Sequence, residues 1–99
     1  MKLKKVNVND LDNLLGKIEL IDIREPFEVS RKAIKTSKNI PMDTLLDNPE
    51  NYLDKNKEYY IVCQSGMRSS KTASELQNIG YKVVDVAGGT GSYIGTKLK

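Results

Sequence analysis

The chain predicts an α/β fold on a mostly parallel sheet, and three observations carry that expectation. Short apolar runs suited to buried strands occur at Glu19-Leu20-Ile21-Asp22-Ile23, Tyr59-Tyr60-Ile61-Val62 and Lys82-Val83-Val84-Asp85-Val86. Segments with helical spacing and helix punctuation separate them, and such alternation of strands and helices favours a mostly parallel sheet. The chain has 99 residues, enough for one core and too few for two. Residues 1–99 are therefore expected to form a single domain.

Each element has its own local reason. Lys5-Val6-Asn7-Val8 alternates polar and apolar residues and predicts a first strand. Asn9-Asp10 predicts the cap of a helix through Leu11, Leu14 and Leu15, with Gly16 ending it. The Glu19–Ile23 strand follows, and Arg24-Glu25-Pro26 opens a helix in which proline suits the first turn. Arg31 to Lys38 gives no clear signal, and Asn39-Ile40-Pro41 reads as extended because a residue before proline is pushed out of the helical region. Asp43 to Lys55 predicts one or two short helices broken at Asn48-Pro49. Tyr59 to Val62 is by composition the most buried strand. Ser69 to Ile79 predicts a helix with Ala73, Leu76 and Ile79 inward and Gly80 at its end. After the last strand, Ala87-Gly88-Gly89-Thr90-Gly91 reads as a flexible turn and Ser92 to Leu98 as a short closing helix.

Composition narrows the chemistry. Apolar residues make up 38% and charged residues 29%, the balance of an ordinary globular protein. The net charge of +3 is spread along the chain and forms no nucleic-acid stripe. With one cysteine and no histidine, an internal disulfide and a Cys/His zinc cluster are both excluded. A free thiol suits a reducing compartment, and Met1 to Asp12 holds no apolar run of signal-peptide or membrane-span length, so a cytoplasmic location is expected. No apolar surface stripe is left over once the core is assigned, which predicts a monomer.

The lone cysteine opens the run Cys63-Gln64-Ser65-Gly66-Met67-Arg68-Ser69-Ser70, directly after a predicted strand and before a predicted helix. In parallel sheets ligands bind beyond the carboxyl ends of the strands. Cys63 falls at that edge, as do Asp22 and Arg24 from another strand. Without histidine, a Cys-His pair is impossible, so thiolate activation must come from loop amides, a helix N-terminus and nearby cations. A curl from Cys63 to Ser69 points successive N–H groups into one bowl and favours thiolate over thiol. Gly66 supplies the positive φ that such a curl needs. Arg68 offers a guanidinium to an anionic substrate, and Ser69 and Ser70 can cap the helix or donate to the sulfur. Plainer roles stand beside these. Free cysteine is often an inert core residue. Arg68 also reads as a surface cation or the partner of Asp22 or Glu25, Asp22 and Arg24 read as structural before chemical, since a carboxylate facing the loop could lock Arg68 in place, and Met67 reads as lining the mouth.

These residues resemble the rhodanese family over nearly the whole chain. Leu20-Ile21-Asp22-Ile23-Arg24-Glu25-Pro26 is similar to the family's D-x-R-E segment, and Asn39-Ile40-Pro41 follows in order. Cys63-Gln64-Ser65-Gly66-Met67-Arg68-Ser69 is similar to C-x-S-G-x-R-S, and Gly80-Tyr81 with Gly88-Gly89 completes the set. The resemblance implies a rhodanese-like three-layer fold, with a central mostly parallel sheet of about five strands and helices on both faces, and sulfurtransferase chemistry that needs no metal or organic cofactor. Cys63 would take sulfane sulfur from thiosulfate or a persulfide, and a thiophilic acceptor, cyanide or a cellular thiol, would remove it. The amides from Gln64 to Ser69 would hold the terminal sulfur. Three departures stand out. The stretch Lys32 to Ser37 lacks a histidine and glycine common in the family, Tyr93 replaces a frequent tryptophan, and Gln64 replaces a frequent arginine. The last leaves Arg68 as the loop's one cation and makes thiosulfate a less obvious donor.

Two other functions fit parts of the pattern. Cys63 and Arg68 satisfy the C-x5-R spacing of cysteine phosphatases and arsenate reductases, although the loop has the shorter length of sulfur-selective proteins. A sulfur-carrier or regulatory module would use Cys63 with little small-molecule turnover. Its partner would be a persulfide-carrying protein, steered by cations such as Arg68 and Lys71.

Overall fold

A computed structural model describes residues 2–99; Met1, the first residue of the expected domain, lies outside the described residues. Five strands form one sheet: β1 (Lys4–Asn7), β2 (Glu19–Asp22), β3 (Lys38–Asn39), β4 (Glu58–Val62) and β5 (Lys82–Ala87). Their order is β1-β5-β4-β2-β3, and all four pairings are parallel. The carboxyl ends of β2 and β4 therefore lie side by side, with Asp22 in register with Val62.

Alternation along the strands sends side chains into two cores. Ile21, Ile23, Tyr59, Ile61, Cys63 and Val83 share one cluster with Leu45 of α2 (Met42–Asp47) and Ala73 and Leu76 of α3 (Met67–Asn78). Leu20, Val62 and Val86 join Val8, Leu11, Ile34 and Tyr93 on the opposite face. A third helix, α1 (Pro26–Arg31), has proline at its start as predicted and buries no residue fully. Burial in β5 is as deep as in β4: Val83 to Val86 are all buried, whereas Tyr60 of β4 is only half-buried.

Three local expectations are corrected. No α-helix runs through Leu11, Leu14 and Leu15; a 3-10 turn at Val8–Asp10 leads into successive turns. Asn9 does not cap that segment, because its side chain donates to the Ser92 carbonyl and accepts the Ile94 amide, at 3.0 and 2.8 Å. The leucines still reach the core through these turns. The expected closing helix from Ser92 to Leu98 is replaced by a 3-10 turn at Thr90–Ser92 and an extended tail. That tail bonds to the stretch after α1: Lys35 N–H donates to Lys97, Lys99 N–H to Ala33, and Leu98 bridges Ile34. Ile79 lies beyond the last turn of α3 and is exposed, not inward. Among the described residues, no helix is long and apolar enough to cross a membrane.

Candidate active site

The site grows from the end of β4. Cys63 leaves the strand with its side chain on the α3 face, and the chain curls to Gly66, where φ is +99°. This is the positive φ expected of that glycine, and a side chain there would press on the Gly88 backbone at 3.2 Å. Gly66 is also the residue preceding α3 and has no side chain with which to cap it. The Cys63 sulfur takes that place. Sγ accepts the N–H of Gly66 at 3.1 Å and the N–H of Ser69, in the first turn of α3, at 3.2 Å. Two backbone donors and the positive end of a twelve-residue helix thus converge on one sulfur. Cys63 is fully buried, at 0% exposure.

Ser69 serves the sulfur through its amide and not its hydroxyl. The hydroxyl lies 2.6 Å from Oδ1 of buried Asp85 on β5 and 3.2 Å from the Gly66 carbonyl. Asp85 had no role assigned from sequence; its place in an apolar strand was the available signal. Ser70 contributes its amide to the Gly66 carbonyl at 3.1 Å and does not reach the sulfur. Ser65 and Met67 face outward, Met67 at 79% exposure, and both line an open depression of about 440 Å³ with Lys5 and Gly88.

The Ala87–Gly91 segment, expected as a flexible turn, clamps the cysteine loop. Thr90 N–H donates to the Cys63 carbonyl at 2.8 Å and Gly91 N–H to the Gln64 carbonyl at 2.9 Å. Gly89 has φ of +69°, and a Cβ there would lie 2.4 Å from the Gln64 carbonyl oxygen. Two adjacent glycines are the only trace of this close approach in the sequence, and a loose turn has the same composition.

Neither arginine of the site is free. Arg68 pairs with Glu28, not with Asp22 or Glu25: its two terminal nitrogens each meet a Glu28 oxygen at 2.9 Å. Chiefly through this hydrogen bonding, the Glu28 carboxyl is pulled down to about 2 and the Arg68 guanidinium is pushed above its ordinary range. Glu28 Oε1 also accepts the Glu25 N–H at 3.0 Å, which ties the pair to the start of α1. Arg24, 1% exposed, is held by buried Asp22 through Nε at 3.0 Å and Nη2 at 2.8 Å. It also donates to Gln64 Oε1 at 2.9 Å and to the Lys32 carbonyl at 2.6 Å. Asp22 and Arg24 thus fasten α1 to the cysteine loop. Among the described residues, no group of three or more His, Cys, Asp or Glu side chains is placed to hold a metal ion.

Residues 7–95 match the family model described as Rhodanese-like domain. The chain is 37% identical over 103 residues to "Putative sulfurtransferase YtwF" of Bacillus subtilis (strain 168), covering 100% of this chain and 99% of that protein. It is 32% identical over 79 residues to "Putative sulfur carrier protein YrkF" of the same strain, covering 79% of this chain and 42% of that protein. Among solved structures, it resembles a rhodanese-like domain protein from Staphylococcus aureus with a TM-score of 0.87 at 35% identity, covering 98% of this chain and 97% of that one.

Proposed function

The chain belongs to the rhodanese-like domain family, and from that footing we propose that Cys63 carries sulfur as a persulfide between a donor and a thiophilic acceptor. The observation that carries this reading is the pair of amides on Sγ, from Gly66 and Ser69. Two donors aimed at one sulfur are placed to hold the negative charge that the sulfur carries when it attacks and when it departs. In the first step the thiolate attacks the outer sulfur of a persulfide, R–S–SH; the S–S bond breaks, R–S⁻ departs and Cys63 becomes Cys–S–SH. With thiosulfate the same attack releases sulfite. In the second step an acceptor thiolate attacks the terminal sulfur, takes it as a new persulfide and leaves the Cys63 thiolate. Two half-reactions through a covalent intermediate give ping-pong kinetics. The loop from Gln64 to Ser69 encloses the transferred sulfur, and Asp22 with Arg24 positions that loop. The free thiol suits a reducing compartment such as the cytoplasm.

Charge decides between donors. Glu28 neutralises Arg68 and Asp22 neutralises Arg24, so the loop offers little net attraction to a dianion. A persulfide donor is therefore favoured over thiosulfate. The same pairing disfavours phosphatase chemistry, which needs the C-x5-R arginine free to clasp a phosphate.

Intact mass tests the reading. After incubation with a persulfide donor, the protein gains one sulfur atom, cyanide removes it, and Cys63→Ser never acquires it. No added sulfur from persulfide or thiosulfate, with Cys63 chemically intact, overturns the proposal.

A further inference from the structure

Beside the cysteine loop lies a cleft of about 340 Å³ between α1 and Gln64. It falls at the small-molecule end of ligand-site sizes. Its wall contains Thr90, which is 1% exposed and whose hydroxyl has no hydrogen-bond partner among the described residues. Buried hydroxyls are normally paired, so this one is poised for a ligand atom. Thr90 is also tied to the nucleophile, since its N–H donates to the Cys63 carbonyl at 2.8 Å. The rim carries Phe27, 67% exposed, and the exposed cations Arg31 and Lys32. Neither cation has a carboxylate partner among the described residues, whereas the cleft's one carboxylate, Glu28, is engaged by Arg68.

The distribution of charge identifies the ligand class. Cations next to the sulfur are spent on Glu28 and Asp22, and the unspent pair sits at the end of α1. That suits a molecule whose anionic group is separated from its sulfur by a spacer, unlike thiosulfate or cyanide, in which charge and reacting atom coincide. We propose that this cleft binds the body of a carboxylated low-molecular-weight thiol, which takes sulfur from, or as its persulfide delivers sulfur to, Cys63. Arg31 and Lys32 hold its carboxylate, Thr90 pairs with an amide or carbonyl of its spacer, and Phe27 covers its apolar part. The assignment rests on the persulfide reading of Cys63. Taking sulfur is the second half-reaction already written: the bound thiolate attacks the terminal sulfur, the S–S bond to Cys63 breaks, and the electron pair stays on the Cys63 sulfur. Delivery is the first: the Cys63 thiolate attacks the outer sulfur of the bound persulfide, its S–S bond breaks, and the electron pair leaves on the ligand's thiolate.

Two measurements test it. Titration calorimetry with S-methylglutathione, which cannot react, is expected to give saturable binding to the resting protein. That binding should weaken about tenfold in Arg31→Glu with Lys32→Glu and by a smaller factor in Thr90→Val. Discharge of the preformed persulfide is then compared for glutathione and for the neutral thiol 2-mercaptoethanol. The ratio of their rate constants should fall about tenfold in the charge-reversed variant. A persulfide that forms normally, with no S-methylglutathione binding or with a ratio that the reversal leaves unchanged, overturns the cleft assignment alone. Binding that follows these variants, in a protein that never forms a persulfide, overturns the sulfur-transfer reading and leaves an anion-binding cleft.

Discussion

Glu28 clasps Arg68 with both carboxylate oxygens at 2.9 Å, across forty residues of sequence. The contact joins the first turn of α1 to the first turn of α3 and neutralises the one guanidinium that the cysteine loop contributes. Under the proposed sulfur transfer it links the architecture to substrate choice, because a guanidinium already paired with a carboxylate offers less attraction to an anionic donor.

Replacing Glu28 by Gln should therefore release Arg68 toward the loop mouth. The kcat/KM for thiosulfate is expected to rise about 3–10-fold, mostly through KM, the worth of one partly exposed charge contact. Steady-state assays with thiosulfate and cyanide measure it. An unchanged or lower kcat/KM would mean that Glu28 aims Arg68 at the substrate and does not withhold it.

The distinction between what sequence conveys and what it hides runs along contact distance. The strands at Glu19, Tyr59 and Lys82 are legible because an apolar run bounded by turns is a local property, and Gly66 is legible because a tight curl after a strand needs positive φ. The partner of Arg68 is not. Asp22 and Glu25 flank the motif and look eligible, yet Asp22 is taken by Arg24 and Glu25 is exposed at the start of α1. Glu28 wins because one helical turn brings it over the loop. Asn9 departs from its expected place for a related reason: its preference for capping is real, but bonds to Ser92 and Ile94 outcompete it. Ala87 to Gly91 reads as a flexible turn from sequence because a demand for close backbone approach has the same composition as a loose turn.

Acid should weaken the link between α1 and α3. The Glu28 carboxyl sits at about 2 in the folded protein against 4.5 in its ordinary state, chiefly through Arg68. A depressed carboxyl contributes stability that is full above pH 4.5 and is lost as pH falls toward 2. The wild-type advantage over Glu28→Gln, of order 1 kcal/mol for a partly exposed pair, should hold at pH 6, shrink below pH 4.5 and vanish near pH 2. Urea unfolding of both proteins across that range checks it, and an advantage that is independent of pH would show that the carboxylate charge is not its source.

Gly89→Ala should damage both stability and sulfur loading. The new methyl would meet the Gln64 carbonyl oxygen at 2.4 Å and the Cys63 carbonyl oxygen at 2.6 Å, at a φ of +69°. Neither obstacle is a flexible side chain, so the cysteine loop must shift, at roughly 2–4 kcal/mol. Gly16→Ala is the matched control: its φ is +87° but nothing lies within 4 Å of the added atom, so only the backbone term of roughly 1–2 kcal/mol applies. Thermal unfolding should rank Gly89→Ala below Gly16→Ala, and intact mass should show slower persulfide formation only in the former. Equal melting temperatures would contradict the clamp.

The Asp22–Arg24 pair should behave as a buried charge that cannot be halved. Arg24 is 1% exposed and Asp22 is fully buried, with 2.8 Å between Nη2 and Oδ2. Asp22→Ala leaves the guanidinium without its counterion inside the protein and should cost about 3–5 kcal/mol in urea unfolding. Pairing Asp22→Leu with Arg24→Met removes both charges, so the double variant should be less destabilised than Asp22→Ala despite carrying two changes. Arg24 also donates to Gln64 Oε1 and to the Lys32 carbonyl. The double variant should therefore regain stability without regaining activity: the cysteine loop loses its tether to α1, and persulfide formation slows even where the fold is intact. A double variant as unstable as Asp22→Ala would trace the cost to lost packing. One with full activity would confine the pair to structure and remove Arg24 from any part in holding the loop.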